Sequence, residues 1–325
     1  MKAALVKAYG PPDSIVVEDV PSPEPGAGEV RIRIRACGVN FPDVLMVAGK
    51  YQFKPEMPFS PGAEMSGDID AVGDGVKHLS VGQRVFCMVG HGGMAEQIVV
   101  PAAAVVPIPD ALDYRVAAAI MMTYGTSYHA LKQRAQIQPG ETLLVLGAAG
   151  GVGLAAVELG VKMGARVIAA ASNEEKLDLA RQYGASECIN YTEVSLKDTV
   201  KAMTGGQGVD VIYDPVGGAL FDDCLRALAW RGRLLVIGFA SGEIPAAPAN
   251  LPLLKGASVV GVFWGAFTQR EREANDENTR ELMQWLLAGE LKPHVGSVLP
   301  LDQAAEAMNI LARRQAMGKV VIEMP

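Results

Sequence analysis

Residues 141–165 read ETLLVLGAAGGVGLAAVELGVKMGA. Residues 142–146 form a short apolar run, long enough for a strand buried on both faces. The run passes directly into Gly147-Ala148-Ala149-Gly150-Gly151-Val152-Gly153. Leu154, Val157 and Val161 then recur at helical spacing, and Gly164 stands where a helix would end. Strand, glycine turn and helix, in that order, are the setting a dinucleotide fingerprint requires. Glycines let the backbone approach a pyrophosphate closely, and the amides at the helix start favour its negative charge. Tight strand-to-helix turns are also glycine-rich for steric reasons alone, and continuation into further βα units separates the two readings. A second register, Gly151, Gly153 and Ala156, fits too, so the pattern leaves open which amides meet phosphate.

The continuation is present. Strands are expected at 166–170, 187–190, 209–214, 234–239 and 258–263, with helices around 152–163, 174–183, 195–203 and 218–229. That alternation predicts an α/β, doubly wound parallel sheet. Segment 258–263 is valine-rich and uncharged, which predicts an apolar edge strand and a homodimer that pairs it with its copy.

Upstream, residues 3–8, 15–18, 30–36, 66–72, 84–89 and 96–100 are short strand-like runs between Pro/Gly turns, the pattern of a partly open β-barrel. Residues 30–35 alternate Val-Arg-Ile-Arg-Ile-Arg, so the arginine face should be solvated or paired rather than a phosphate site. Residues 110–136 read as helical, with Thr123-Tyr124-Gly125 as a break. Residues 266–279 are dense in charge and predict a solvated connection. A helix at 280–288, a strand at 295–300, a helix at 301–314 and a strand at 319–323 follow, and are expected back against the first domain. The predicted domains are therefore 1–122 with 266–325, and 123–265.

Composition narrows the function classes. The chain has 325 residues, is half hydrophobic and a fifth charged, and carries a net charge of −7. The acidic balance argues against nucleic acid as a partner. No apolar run approaches a membrane span, and the opening MKAALVKAYG is interrupted by lysine as a signal peptide would not be. The expected location is the cytoplasm. Cys37, Cys87, Cys188 and Cys224 are scattered, as are the four histidines, without metal-ligand spacing.

In NAD-binding sheets an acidic residue about twenty positions past the glycines takes the ribose hydroxyls. Here the second strand ends at Ala170-Ala171 and continues Ser172-Asn173-Glu174-Glu175-Lys176. Ser172 with Glu175 fits a capping box. Lys176 lies where a 2′-phosphate would be reached, and equally where a solvated lysine would sit. The missing acid with Ser172 and Lys176 present points to NADPH.

Pro61-Gly62-Ala63-Glu64 to Gly67, Val72-Gly73 and Val81-Gly82-Gln83-Arg84-Val85, with Gly140-Glu141 through Gly153, resemble the zinc-independent quinone oxidoreductase branch of the medium-chain dehydrogenase/reductase superfamily. Asp214-Pro215-Val216-Gly217-Gly218 and Gly261-Val262-Phe263-Trp264-Gly265 resemble family segments as well. The sequence departs at Glu158, where the signature has glutamine, and at Val161, where it has lysine; both fall on the helix, outside the phosphate turn.

The resemblance implies a GroES-like catalytic domain, a Rossmann cofactor domain and a homodimer. It places Ala149, Gly150, Gly151 and Val152 at the pyrophosphate, and Ser172, Lys176 and Tyr191 at the adenosine phosphate. Phe239, Ala240, Phe263, Trp264, Thr123 and Asn40 fall near the nicotinamide. Asn40, Ala63 and Met122 stand where the zinc-dependent relatives have metal ligands, and none can serve as one. Reduction of a quinone or an enone, already electrophilic, needs no metal. Asn40 and Tyr51 are the expected catalytic donors, with Asp43 orienting neighbours. The alternatives are an enoyl-thioester or alkenal reductase on the same scaffold, and a crystallin-like NADPH-binding protein with little turnover.

Overall fold

The computed structural model describes residues 1–325. It divides into two compact units, Met1–Met122 with Pro293–Pro325, and Thr123–Lys292. No helix is long and apolar enough to cross a membrane.

The first unit is built on Glu29–Val39, an eleven-residue strand whose inward Val30, Ile32 and Ile34 are fully buried. It pairs antiparallel with Glu64–Val72, Gln97–Pro101 and Lys319–Glu323. Arg84–Met88 and Val105–Pro107 extend the sheet on one side, and Val295–Pro300 extends it beyond Lys319–Glu323 on the other. The C-terminal segment thus supplies two strands of the first unit's sheet. The arginine face is paired: Arg31 Nε lies 2.7 Å from Asp70 Oδ1, and Arg35 Nε lies 2.9 Å from Asp68 Oδ2. Helix Tyr114–Ile120 lies close on the sheet because alanines and a glycine meet there. A Cβ on Gly38 would stand 2.0 Å from the Ala118 carbonyl oxygen.

The second unit carries six parallel strands in the order Glu187–Asn190, Arg166–Ala171, Thr142–Leu146, Val209–Asp214, Leu228–Val236, Ser258–Gly261. In chain order this is 3-2-1-4-5-6, and the order reverses between Thr142–Leu146 and Val209–Asp214. Ser258–Gly261 is the outer strand and ends two residues before the expected 263. The fifth strand begins earlier and ends earlier than expected, with a register shift between Val209 and Val211 on its neighbour and a positive φ of 63° at Arg231.

Three expectations need correction. Thr123-Tyr124-Gly125 does not break the helix: Met121–Gly125 is a π-helical turn followed by helix Thr126–His129. The extra residue per turn keeps the backbone bonded, so glycine there does not end the run. Residues 266–279 are not a solvated connection but lie in helices Trp264–Arg270 and Arg272–Leu287. The charges hide a stripe of Asn278, Leu282 and Leu286, spaced four apart and buried. That stripe also moves the boundary from 265 to 292. Trp285 meets Tyr128 edge-on at 5.4 Å and Lys132 pairs with Glu281 at 2.6 Å, tying residues 272–287 to the second unit.

Candidate active site

In the second unit, most of the expected cofactor residues collect at one end of the sheet. Leu146 leads to the glycine turn, Ala171 to Ser172, Asn190 to Tyr191, Val236 to Phe239 and Ala240, and Gly261 to Phe263 and Trp264. These are the carboxyl ends of parallel strands, where open α/β sheets bind ligands. Thr123 comes from outside the sheet and is buried in its π-helical turn.

The turn itself is tight. Gly147 has φ of 55°, and Gly150 N–H donates to Gly147 O at 2.9 Å. Helix Gly151–Lys162 follows, with no side chain capping its start, so its first amides are left for an external acceptor. A Cβ on Gly153 would lie 2.2 Å from Gly147 O, which is why the helix can sit so near the turn. These features fit a pyrophosphate.

After the second strand, Asn173 and not Ser172 caps the helix, its Oδ1 accepting from Lys176 N–H at 3.0 Å. The Ser172–Glu175 box is therefore corrected, because Asn173 occupies the extended position from which a side chain reaches the first turn. Ser172 Oγ instead lies 3.4 Å from Lys176 Nζ, so these two polar ends converge. Tyr191 packs on the core, and its N–H donates to Ala171 O at 3.2 Å.

Buried Asp214, which the sequence places in a family segment without a role, organises the next loop. Its Oδ1 accepts from Val216 N–H at 2.8 Å and Gly217 N–H at 2.9 Å. Pro215 O in turn accepts from Ala240 N–H at 3.0 Å, which sets the backbone that carries Phe239. Phe263 and Trp264 part company. Phe263 is 61% exposed, whereas Trp264 is 5% exposed, its ring filling the space beside Gly125 that a Cβ would need.

In the first unit, Asn40 is the N-cap of helix Phe41–Val47, and Asp43 closes a capping box with it. Asp43 also accepts from Gly62 N–H at 3.2 Å, so it ties the helix start to the Pro61–Glu64 segment. The Asn40 side chain belongs to a buried network the sequence did not reveal. Lys319 Nζ donates to Asn40 Oδ1 at 2.7 Å and to Glu64 Oε2 at 3.0 Å. Asn40 Nδ2 lies 3.3 Å from Glu64 Oε2, and Glu64 Oε1 accepts from Met122 N–H at 3.0 Å. The signal available was a lysine opening KVVIE, directly ahead of three apolar residues. Tyr51 is half-buried against the first unit's core, and burial, then the charge of Asp43, push its phenol pKa up.

Burial pushes the Asp43 carboxyl up to about 6, against the relief its two backbone donors and Lys319 provide. A carboxyl with a higher pKa folded than unfolded binds its proton more tightly in the fold, so stability falls as pH rises from about 4 to about 6. A displacement of this size corresponds to on the order of 2–3 kcal/mol. Asp43→Asn should flatten that part of the profile in urea unfolding. A parent-minus-variant difference that does not change with pH would refute it.

Comparison with known proteins agrees with the fold. Residues 26–110 match the family model of the alcohol dehydrogenase GroES-like domain, and residues 151–286 that of zinc-binding dehydrogenase. A quinone oxidoreductase-like protein 2 homolog of Nematostella vectensis is 44% identical, over 99% of this chain and 88% of its own. Quinone oxidoreductase of Homo sapiens is 34% identical, over 99% and 97%. The crystal structure of Escherichia coli quinone oxidoreductase complexed with NADPH superimposes with a TM-score of 0.92 at 29% identity, over 99% and 100%.

The family description speaks of zinc, but the donor set here does not fit it. Asn40 faces an ammonium, Ala63 has no donor atom, and Met122 is tied to Glu64 through its amide. No three His, Cys, Asp or Glu side chains converge. Cys37 and Cys87 are buried thiols whose pKa values burial raises, the reverse of a metal-ready thiolate.

Proposed function

The chain belongs to the quinone oxidoreductase branch of the medium-chain dehydrogenase/reductase superfamily, and from that premise we propose that it reduces quinones with NADPH, without a metal. It is an NADPH-dependent oxidoreductase with a GroES-like domain and a Rossmann domain. The observation that carries the nucleotide reading is the meeting of Ser172 and Lys176 at the end of a strand where an NAD enzyme has an acid.

Bound NADPH supplies a hydride. The chain's part is to hold and orient. The turn Ala149, Gly150, Gly151 and Val152 takes the pyrophosphate side, with the uncapped amides at the helix start, rather than the Gly150 N–H already on Gly147 O, as its donors. Ser172, Lys176 and Tyr191 take the 2′-phosphate side; Thr123, Phe239, Ala240, Phe263 and Trp264 of the second unit, and Asn40 of the first, are the residues we assign to the nicotinamide. A quinone receiving a hydride gains negative charge on oxygen, and one proton completes the hydroquinone. Tyr51 is the donor we assign to that proton: a phenol is protonated at neutral pH, and burial raises its pKa further.

A steady-state screen of quinones, enones and enoyl thioesters with NADPH tests the reading, with kcat/KM expected to be highest for a quinone. Higher values for an enoyl thioester would make the chain a reductase of that class. Tight NADPH binding without turnover would make it a crystallin-like binding protein.

The second unit also fits a homodimer joined through Ser258–Gly261. Val259 is 39% exposed on this outer strand, and exposed Trp230 lies beside Gly256 next to it. Unpaired apolar edges recruit a second chain. Val259→Lys should convert a dimer to a monomer in light scattering. A parent that is monomeric at micromolar concentration contradicts the assembly.

A further inference from the structure

Lys319 opens the strand Lys319–Glu323, whose next three residues are apolar and buried. A cation in such a place is unfavourable unless fully paired. It is paired with residues 279 and 255 positions away in sequence, Asn40 and Glu64. An ammonium only donates, so the Asn40 atom that faces it must be the amide oxygen. The cation thereby selects one of the two orientations the amide could take. The opposite end is held less firmly: Nδ2 lies 3.3 Å from both Gly38 O and Glu64 Oε2, against 2.7 Å at the oxygen. The surrounding backbone is fitted to the pair. A Cβ on Gly38 would approach Lys319 Nζ to 3.0 Å and Glu64 Oε2 to 3.1 Å.

We infer that Lys319 is a positioning residue for hydride transfer: it anchors the Asn40 amide oxygen and so fixes the orientation of the whole amide, whose two N–H face Gly38 O and Glu64 Oε2. The inference rests on the proposed reading of Asn40 as a residue of the nicotinamide site. A cation on the amide oxygen also draws density from the nitrogen, which strengthens its N–H contacts to Gly38 O and Glu64 Oε2 and so holds the amide in that orientation. Nothing covalent happens at Lys319. It acts through Asn40.

Removing Lys319 alone would leave Glu64 buried and unpaired, so the test removes both charges with Lys319→Met and Glu64→Gln together. NADPH affinity is read by fluorescence titration, and kcat with whichever acceptor the parent reduces best. The affinity should stay within about twofold while kcat falls about tenfold to a hundredfold, the scale of a misplaced group. In an Asn40→Ala background the same pair of substitutions should lower kcat no further. An unchanged kcat, or a loss that persists in full without Asn40, overturns the inference. If the doubly substituted chain does not fold, Lys319→Arg decides. Its planar fork cannot reproduce a point charge at both contacts, so kcat should fall severalfold and that fall should vanish with Asn40→Ala. A kcat equal to the parent's overturns the inference here too. A parent that turns over no acceptor is the failure of the functional reading instead, and leaves no hydride transfer for Lys319 to position.

Discussion

Tyr51→Phe should lower kcat for an enone by about 10²–10³ while leaving KM nearly unchanged, because losing one donor to a developing oxyanion costs that much. The substitution keeps the ring and removes only the hydroxyl. The ring is what packs against the first unit's core, so the fold should not notice the change. The opposite pattern, a raised KM with kcat kept, would mean that the side chain is only a wall. Quinones should lose less than enones, since they are electrophilic enough to need little help at oxygen. If kcat survives for both acceptors, Tyr51 donates no proton and solvent supplies it.

Lys176→Ala should weaken NADPH about tenfold or more and leave NADH nearly untouched, because a charge-assisted phosphate contact is worth about 1.5–3 kcal/mol. The prediction is clean for a structural reason. The helix start is held by the Lys176 backbone amide on Asn173, which alanine retains, so only the ammonium near Ser172 is lost. Equal kcat/KM for NADH and NADPH in the parent enzyme would refute the assignment before any variant is made.

Some of the candidate site could be read without coordinates, and the reason is physical. The glycine turn, the strand before it and the helix after it lie within 25 consecutive residues, where steric limits and hydrophobic period act locally. The absent acid after Ala171 is a local fact as well. The capping choice between Ser172 and Asn173 is also local, yet it turns on one backbone conformation that neither residue type dictates. The helix at 272–287 misled because its charges are plain in sequence, whereas its buried stripe begins with an asparagine. Asn278 is tolerated there only because Gln133, 145 residues earlier, pairs with its amide at 3.0 Å and 3.1 Å.

By itself, then, the sequence determined the βα alternation, the nucleotide turn and the short strands of the first unit, since each follows from neighbours in the chain. Tertiary structure alone decided that residues 266–292 belong with the second unit, and it set the register in which the last strand, expected against the first unit, pairs with Glu29–Val39. It alone brought Lys319 to Asn40 and Glu64. A buried cation can be accepted at position 319 only once the fold has carried a carboxylate and an amide oxygen to it. That pairing is a property of the folded chain, and no run of neighbouring residues encodes it.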